Sequence, residues 1–134
     1  VEATLVTEGD SPDHRSLVRV RLACSDGNSL VVAGTVAGPR DTEKLVAIDD
    51  LDLDLPLSEH MLVFAYEDKP GVVGVVGQVL GAAGVNIANM QVGRDAATSQ
   101  ALIALTVDSA VDAATVEKIA AEIEASMGSA IDLV

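Results

Sequence analysis

From His60 onward the apolar residues switch repeatedly between strand spacing and helix spacing, and each switch falls on a turn signal. His60 to Tyr66 is an apolar run of strand length. Asp68-Lys69-Pro70-Gly71 is a helix-start signal, with Asp able to cap free N–H groups and Pro preset for the first turn. Val72, Val73, Val76, Val79, Leu80 and Ala83 then recur three and four apart, which predicts one helical face running to about Gly84. Gly71, Gly74, Gly77, Gly81 and Gly84 form an adjoining bare stripe that permits close backbone approach. Each interior Gly costs about 0.5–1 kcal/mol relative to Ala, so packing and not propensity must hold this helix. Val85 to Val92 and Gln100 to Val107 read as antiparallel strands around the turn Asp95-Ala96-Ala97-Thr98. Asp112 caps a second helix whose Val116, Ile119, Ala120, Ile123 and Met127 face inward; Gly128 ends it, and Ala130 to Val134 is a last strand.

The resulting order, β-α-β-β-α-β over residues 60–134, is that of a ferredoxin-like α+β sandwich, one sheet with two helices on one face. If that sheet stands alone, the strand His60 to Tyr66 is an unprotected apolar edge, and a dimer joined across it is expected. Residues 1–59 read differently, as strands and turns. Ala3-Thr4-Leu5-Val6 is already strand-like, and Leu17 to Leu22 alternates so that Val18, Val20 and Leu22 share one face. By the same parity Cys24 points inward. Asp26-Gly27-Asn28 turns the chain into Leu30 to Val36, a hairpin. Lys44 to Ile48, the Asp49-Asp50 turn and the alternation Leu51-Asp52-Leu53-Asp54-Leu55 make a second hairpin, with Leu inward and Asp in water. That Asp ladder is a solvated strand face, because a calcium loop needs oxygens converging around a bend. Pro56-Leu57-Ser58-Glu59 is the expected boundary between domains 1–59 and 60–134.

Several classes of function are excluded by composition. Twenty-one acidic against eight basic residues give a net charge of −13. That charge repels phosphate backbones and anionic lipid, so neither nucleic acid nor membrane is an expected partner. A single cysteine rules out an internal disulfide or a multi-cysteine metal site, and fits a cytoplasmic location. The chain opens at Val1 without a signal-peptide pattern, and a piece of a longer protein is expected. Gly71-Val72-Val73-Gly74-Val75-Val76-Gly77 is not a dinucleotide fingerprint: its glycines lie inside a helix at G-x-x-G-x-x-G spacing. His14, in a polar loop, and His60 lie on opposite sides of the expected boundary, and no nucleophile with its own base can be assembled. No catalytic residue, metal site or bound cofactor is expected.

What remains is a small polar group in an apolar domain. Tyr66 and Asp68 are two apart where a strand runs out, beside a helix N-terminus at Pro70-Gly71 whose free N–H groups suit a carboxylate. Asn86 opens the next strand and offers both a donor and acceptors. Together they can read a zwitterion, Asp68 for the ammonium, Asn86 and the helix N-terminus for the carboxylate, Tyr66 or Asn86 for a side-chain hydroxyl. On spacing alone, Asp68 as a plain helix cap and Asn86 as a turn residue stand as the alternative.

The stretch Met61 to Gly74, with Tyr66-Glu67-Asp68-Lys69-Pro70-Gly71 at its centre, and Gly84-Val85-Asn86-Ile87-Ala88-Asn89-Met90-Gln91-Val92-Gly93-Arg94 closely resemble the ACT domain of the D-3-phosphoglycerate dehydrogenase family. Glu8 to Arg15, Ala33-Gly34-Thr35-Val36 and Ile48 to Asp54 resemble the intervening domain that precedes ACT in long-form bacterial members. The resemblance implies a regulatory region lacking the catalytic and NAD-binding domains, in which ACT domains pair edge to edge and bind L-serine, the pathway end product, at the interface. The parent enzyme would then be an NAD-dependent homotetramer under feedback inhibition. The family's serine ligands fall on Tyr66, Asp68 and Asn86; some members carry His and Asn at the first two positions. An anion site of the intervening domain would draw on Arg15, Arg40 and Lys44. Bacterial L-serine dehydratases join a related intervening domain to a similar ACT domain, and a purely structural oligomerisation module is a third reading.

Overall fold

The computed structural model describes residues 2–8, 17–23, 27, 29–49 and 51–132, and divides the chain into two units, Val1–Leu57 and Ser58–Val134. The first unit is a five-stranded antiparallel meander in simple chain order: β1 (Glu2–Glu8), β2 (Leu17–Ala23), β3 (Ser29–Ala37), β4 (Thr42–Ile48) and β5 (Leu51–Pro56). Both expected hairpins are present, β2 with β3 and β4 with β5. Leu53 and Leu55 are buried and Asp52 and Asp54 exposed, as period-2 alternation requires. Pro56 closes the edge strand β5, where a missing N–H costs the sheet nothing. Gly34 sits at a register shift between β3 and β4, where a Cβ would lie 3.3 Å from the Lys44 carbonyl oxygen.

One parity differs from expectation. On β2 it is Leu17 that is buried, while Val18 is 41% exposed. Leu17 stands opposite the buried Thr35 and Val18 opposite Gly34, which offers no side chain to cover it. Alternation tells which residues share a face; what the neighbouring strand carries decides whether that face is covered. Arg15, His14, Cys24, Asp26, Asn28 and Asp50 lie outside the described residues.

The second unit runs β6 (His60–Glu67), α1 (Val72–Ala82), β7 (Ile87–Asp95), β8 (Gln100–Val107), α2 (Ala113–Glu122) and β9 (Met127–Asp132). Its antiparallel sheet has the order β7-β8-β6-β9, the ferredoxin-like α+β arrangement. Leu62, Phe64 and Tyr66 of β6 and Ala101, Ile103, Leu105 and Val107 of β8 form one core with Val72, Val76, Val79 and Leu80 of α1 and Val116, Ile119 and Ile123 of the α2 side.

Three expectations are corrected here. β6 is not an edge: β8 and β9 flank it, and the free edges of the sheet are β7 and β9. Gly128 does not end α2. The helix stops at Glu122, Glu124 takes the left-handed turn at φ 55°, and Gly128 lies in β9 against the Phe64 ring, which a Cβ would meet at 2.9 Å. The glycine stripe of α1 brings no backbone close, since a Cβ at Gly74, Gly77 or Gly81 would meet nothing within 4 Å.

Candidate functional site

At the end of the sheet where β6 runs out, an open pocket of about 550 Å³ lies against the first turn of α1. Tyr66, Asp68, Pro70, Gly71, Val92 and Arg94 contribute to its walls. The backbone bends into α1 through Gly71, which adopts φ 89° and so occupies a conformation that an L side chain resists. Gly71 is the N-cap, and no side chain caps the helix. The sequence expectation that Asp68 caps α1 is thereby corrected. Val72, Val73 and Gly74, which carry the first N–H groups of the helix, all border the pocket.

Asp68 has another partner. Arg94 Nε donates to Asp68 Oδ2 at 2.7 Å, with the arginine side chain 69% exposed and the aspartate 26%. Strand register explains how β7 reaches this point: Arg94 stands opposite Ala101 of β8, and Ala101 stands opposite Tyr66 of β6. The three residues therefore form one row across the sheet. Tyr66 and Ala101 belong to the core shared with the helices, so Arg94 projects from the helix side and reaches Asp68 beyond the end of β6. The Asp68 backbone is itself fixed, its N–H donating to the Ser99 carbonyl at 2.8 Å.

Tyr66 is 2% exposed. Burial raises its phenol above the ordinary tyrosine range, the Asp68 charge adds to the rise, and the Arg94 charge opposes it. Lys69, also on the pocket rim, gives its ammonium to Glu124 after α2, which ties the rim to the second helix and holds the Glu124 carboxyl below its usual range.

Asn86 is elsewhere. Its N–H donates to Asp108 Oδ1 at 3.0 Å and its carbonyl accepts from the Asp108 N–H at 3.1 Å. Ile87 pairs with Val107 and Met61 with Thr106, so Asn86 belongs to the end of the sheet where β6 begins. The eight residues of β6 separate it from Asp68, roughly 26 Å at strand rise. Within one chain the structure brings Tyr66, Asp68, Pro70 and Gly71 together and leaves Asn86 out. Arg94 is the residue that sequence reasoning passed over. The sequence reading ends this strand at Val92, two residues short of Arg94; β7 runs on to Asp95, and the pairing of β7 with β8 and of β8 with β6 aims Arg94 at Asp68.

Of the candidate anion-site residues, Lys44 donates to Asp54 Oδ1 at 2.9 Å and Arg40 lies exposed in the β3–β4 turn, while Arg15 is outside the described residues. Among the described residues no cluster of three or more His, Cys, Asp or Glu is placed to hold a metal ion, and no helix is long and apolar enough to cross a membrane.

Residues 60–124 match the ACT domain family. Over 133 residues, 99% of this chain, the sequence is 38% identical to the D-3-phosphoglycerate dehydrogenase of Mycobacterium leprae. It is likewise 38% identical over 133 residues to that of Mycobacterium tuberculosis, and 34% identical over 83 residues, 62% of this chain, to that of Bacillus subtilis. The chain spans 25% of the length of the two mycobacterial proteins and 16% of the Bacillus one.

Proposed function

We propose, from the premise that residues 60–124 are an ACT domain, that this chain is the regulatory region of a D-3-phosphoglycerate dehydrogenase and binds L-serine as feedback effector. The parent would be an NAD-dependent, cytoplasmic oxidoreductase of serine biosynthesis. The observation that carries the reading is the pocket at the end of β6, which sets an anion, a cation and the Tyr66 phenol in its wall beside an uncapped helix N-terminus. That set of groups complements a small hydroxylated zwitterion. An identity of 38% over 99% of the chain to a protein of that name supports the choice of pathway.

The position of Asn86 calls for a second copy. An edge strand is a template for pairing, and β7 is the edge that borders the pocket. Two copies joined antiparallel along β7, about a two-fold axis, bring Asn86 of one to the pocket end of the other. On this reading the dimer forms along β7 and the serine site is shared between copies.

Titration calorimetry of the 134-residue chain with L-serine tests the reading. Saturable heat is expected, with a stabilisation of about 2.7 kcal/mol at a hundredfold excess over the dissociation constant. Alanine, which cannot make the side-chain hydroxyl contact, is expected to bind about tenfold to a hundredfold more weakly. A folded chain giving no saturable heat with serine would leave the ACT pair as an assembly module only.

A further inference from the structure

Three charged side chains line the pocket, Asp68, Lys69 and Arg94, and Lys69 is already held by Glu124. One anion and one cation therefore face the cavity, and they face each other, Arg94 Nε to Asp68 Oδ2 at 2.7 Å. This contact uses one of the five N–H donors of the guanidinium. Its arginine side chain is 69% exposed, and an ion pair so open to water contributes little to stability, so exchanging it for other partners is easy. An α-amino acid carries an ammonium and a carboxylate on one carbon. It can replace the single Asp68–Arg94 contact by two, ammonium on Asp68 and carboxylate on the planar fork of Arg94, the geometry for which guanidinium is best suited.

We infer that Arg94 is the carboxylate-binding residue of this pocket and that the ligand binds by splitting the Arg94–Asp68 pair. The inference rests on the amino-acid reading above and sharpens it: the ligand must carry both charges, because an amine without a carboxylate gains one contact with Asp68 while leaving the Arg94 guanidinium without its partner.

The chain has one tyrosine and no tryptophan, so intrinsic fluorescence reports on Tyr66 in the pocket wall. L-Serine and ethanolamine, its analogue without the carboxylate, are titrated against the wild-type chain, Arg94→Gln and Arg94→Lys. In the wild type serine should bind about tenfold to a hundredfold more tightly than ethanolamine, the usual worth of a charge-assisted bond. Arg94→Gln should weaken serine by about the same factor while ethanolamine binds as before or more tightly, erasing the preference. Arg94→Lys, a point charge without the fork, should fall between. A preference that survives in Arg94→Gln overturns the inference, as does a variant that binds both ligands more tightly, which would make Arg94 a mere competitor for Asp68. A folded wild type that binds neither overturns the amino-acid reading itself and this assignment with it.

Discussion

Helix α1 begins at a left-handed glycine, carries Gly74, Gly77 and Gly81 in its body, and receives no side-chain cap. Helix α2 begins at Asp112, whose carboxylate accepts from the Thr115 N–H at 2.7 Å, and contains no glycine. Both pack on the same core. By helix propensity α1 is the poorer of the two, and it is the one whose first turn borders the pocket. The contrast separates two uses of a helix N-terminus: α2 has the Asp112 carboxylate accept from its Thr115 N–H, whereas α1 keeps Val72, Val73 and Gly74 without a side-chain cap beside open space. The helix beside the pocket is thus the one with less local support from its own sequence.

Glycine provides the strongest way to break this comparison. Gly128, which backs α2, would place a Cβ 2.9 Å from the Phe64 ring and 3.3 Å from the Ala120 Cβ. Phe64 is fully buried and cannot swing away. Gly128→Ala is expected to destabilise by about 1–3 kcal/mol through overpacking. Gly74→Ala on α1 meets nothing within 4 Å and should stabilise by about 0.5–1 kcal/mol from helix propensity. Urea denaturation of the two variants decides; equal signs would mean that the two glycines are not used differently.

The caps give a smaller difference. Asp112→Ala should lower the melting temperature by a few degrees, and Asp68→Ala, which loses only an exposed ion pair, should leave it almost unchanged. The Asp112 hydrogen bonds to Thr115 depress its folded pKa, so its contribution is present above the ordinary carboxylate range and disappears as pH falls through the lower folded value. Melting curves of both variants at neutral and acid pH check this: the deficit of Asp112→Ala must shrink in acid. A deficit of equal size in Asp68→Ala would restore aspartate capping to α1.

The smallest effect is on Tyr66. Its folded pKa is raised by burial and by Asp68 and lowered by Arg94, so its contribution to stability is full below the ordinary phenol range and is lost as pH rises through the higher folded value. Phenolate absorbance, which this single tyrosine alone supplies, should move to lower pH in Asp68→Asn and to higher pH in Arg94→Gln. Shifts of the opposite sign would mean that the two charges do not act on the phenol as the pocket geometry requires.

The order of the six elements in the second unit and most of the buried α1 face were legible because helix and strand periods are local properties. Val72, Val76, Val79 and Leu80 are buried as their spacing predicts, while Val73, on the pocket side of the same stripe, is 47% exposed. Strand order is not local, and β6 was misplaced for that reason. A signal was nonetheless present: Met61, Leu62, Val63 and Phe64 are all buried, so both faces of β6 are covered, and an unbroken apolar run marks an interior strand better than an edge. Gly128 was misread because a helix-stopping glycine and a glycine beneath a ring look alike in sequence. Tyr66 and Asp68 were found by parity within one strand. Arg94 needed two inter-strand registers, and Asn86 could be placed away from them only once the same registers were known.

The pairing of the unit's first and last strands has a further effect. β6 and β9 are antiparallel neighbours with His60 opposite Asp132, their side chains joined by a 2.8 Å contact from His60 Nδ1 to Asp132 Oδ1. The strand that opens the unit thus starts, and the strand that closes it finishes, at the end of the sheet remote from Asp68 and Arg94. The unit has a polarity: the chain enters at one extremity and the Asp68–Arg94 pocket lies at the other, with β6 between them. The point where the chain enters the unit is therefore separated from the pocket by the full length of a strand hydrogen-bonded on both sides.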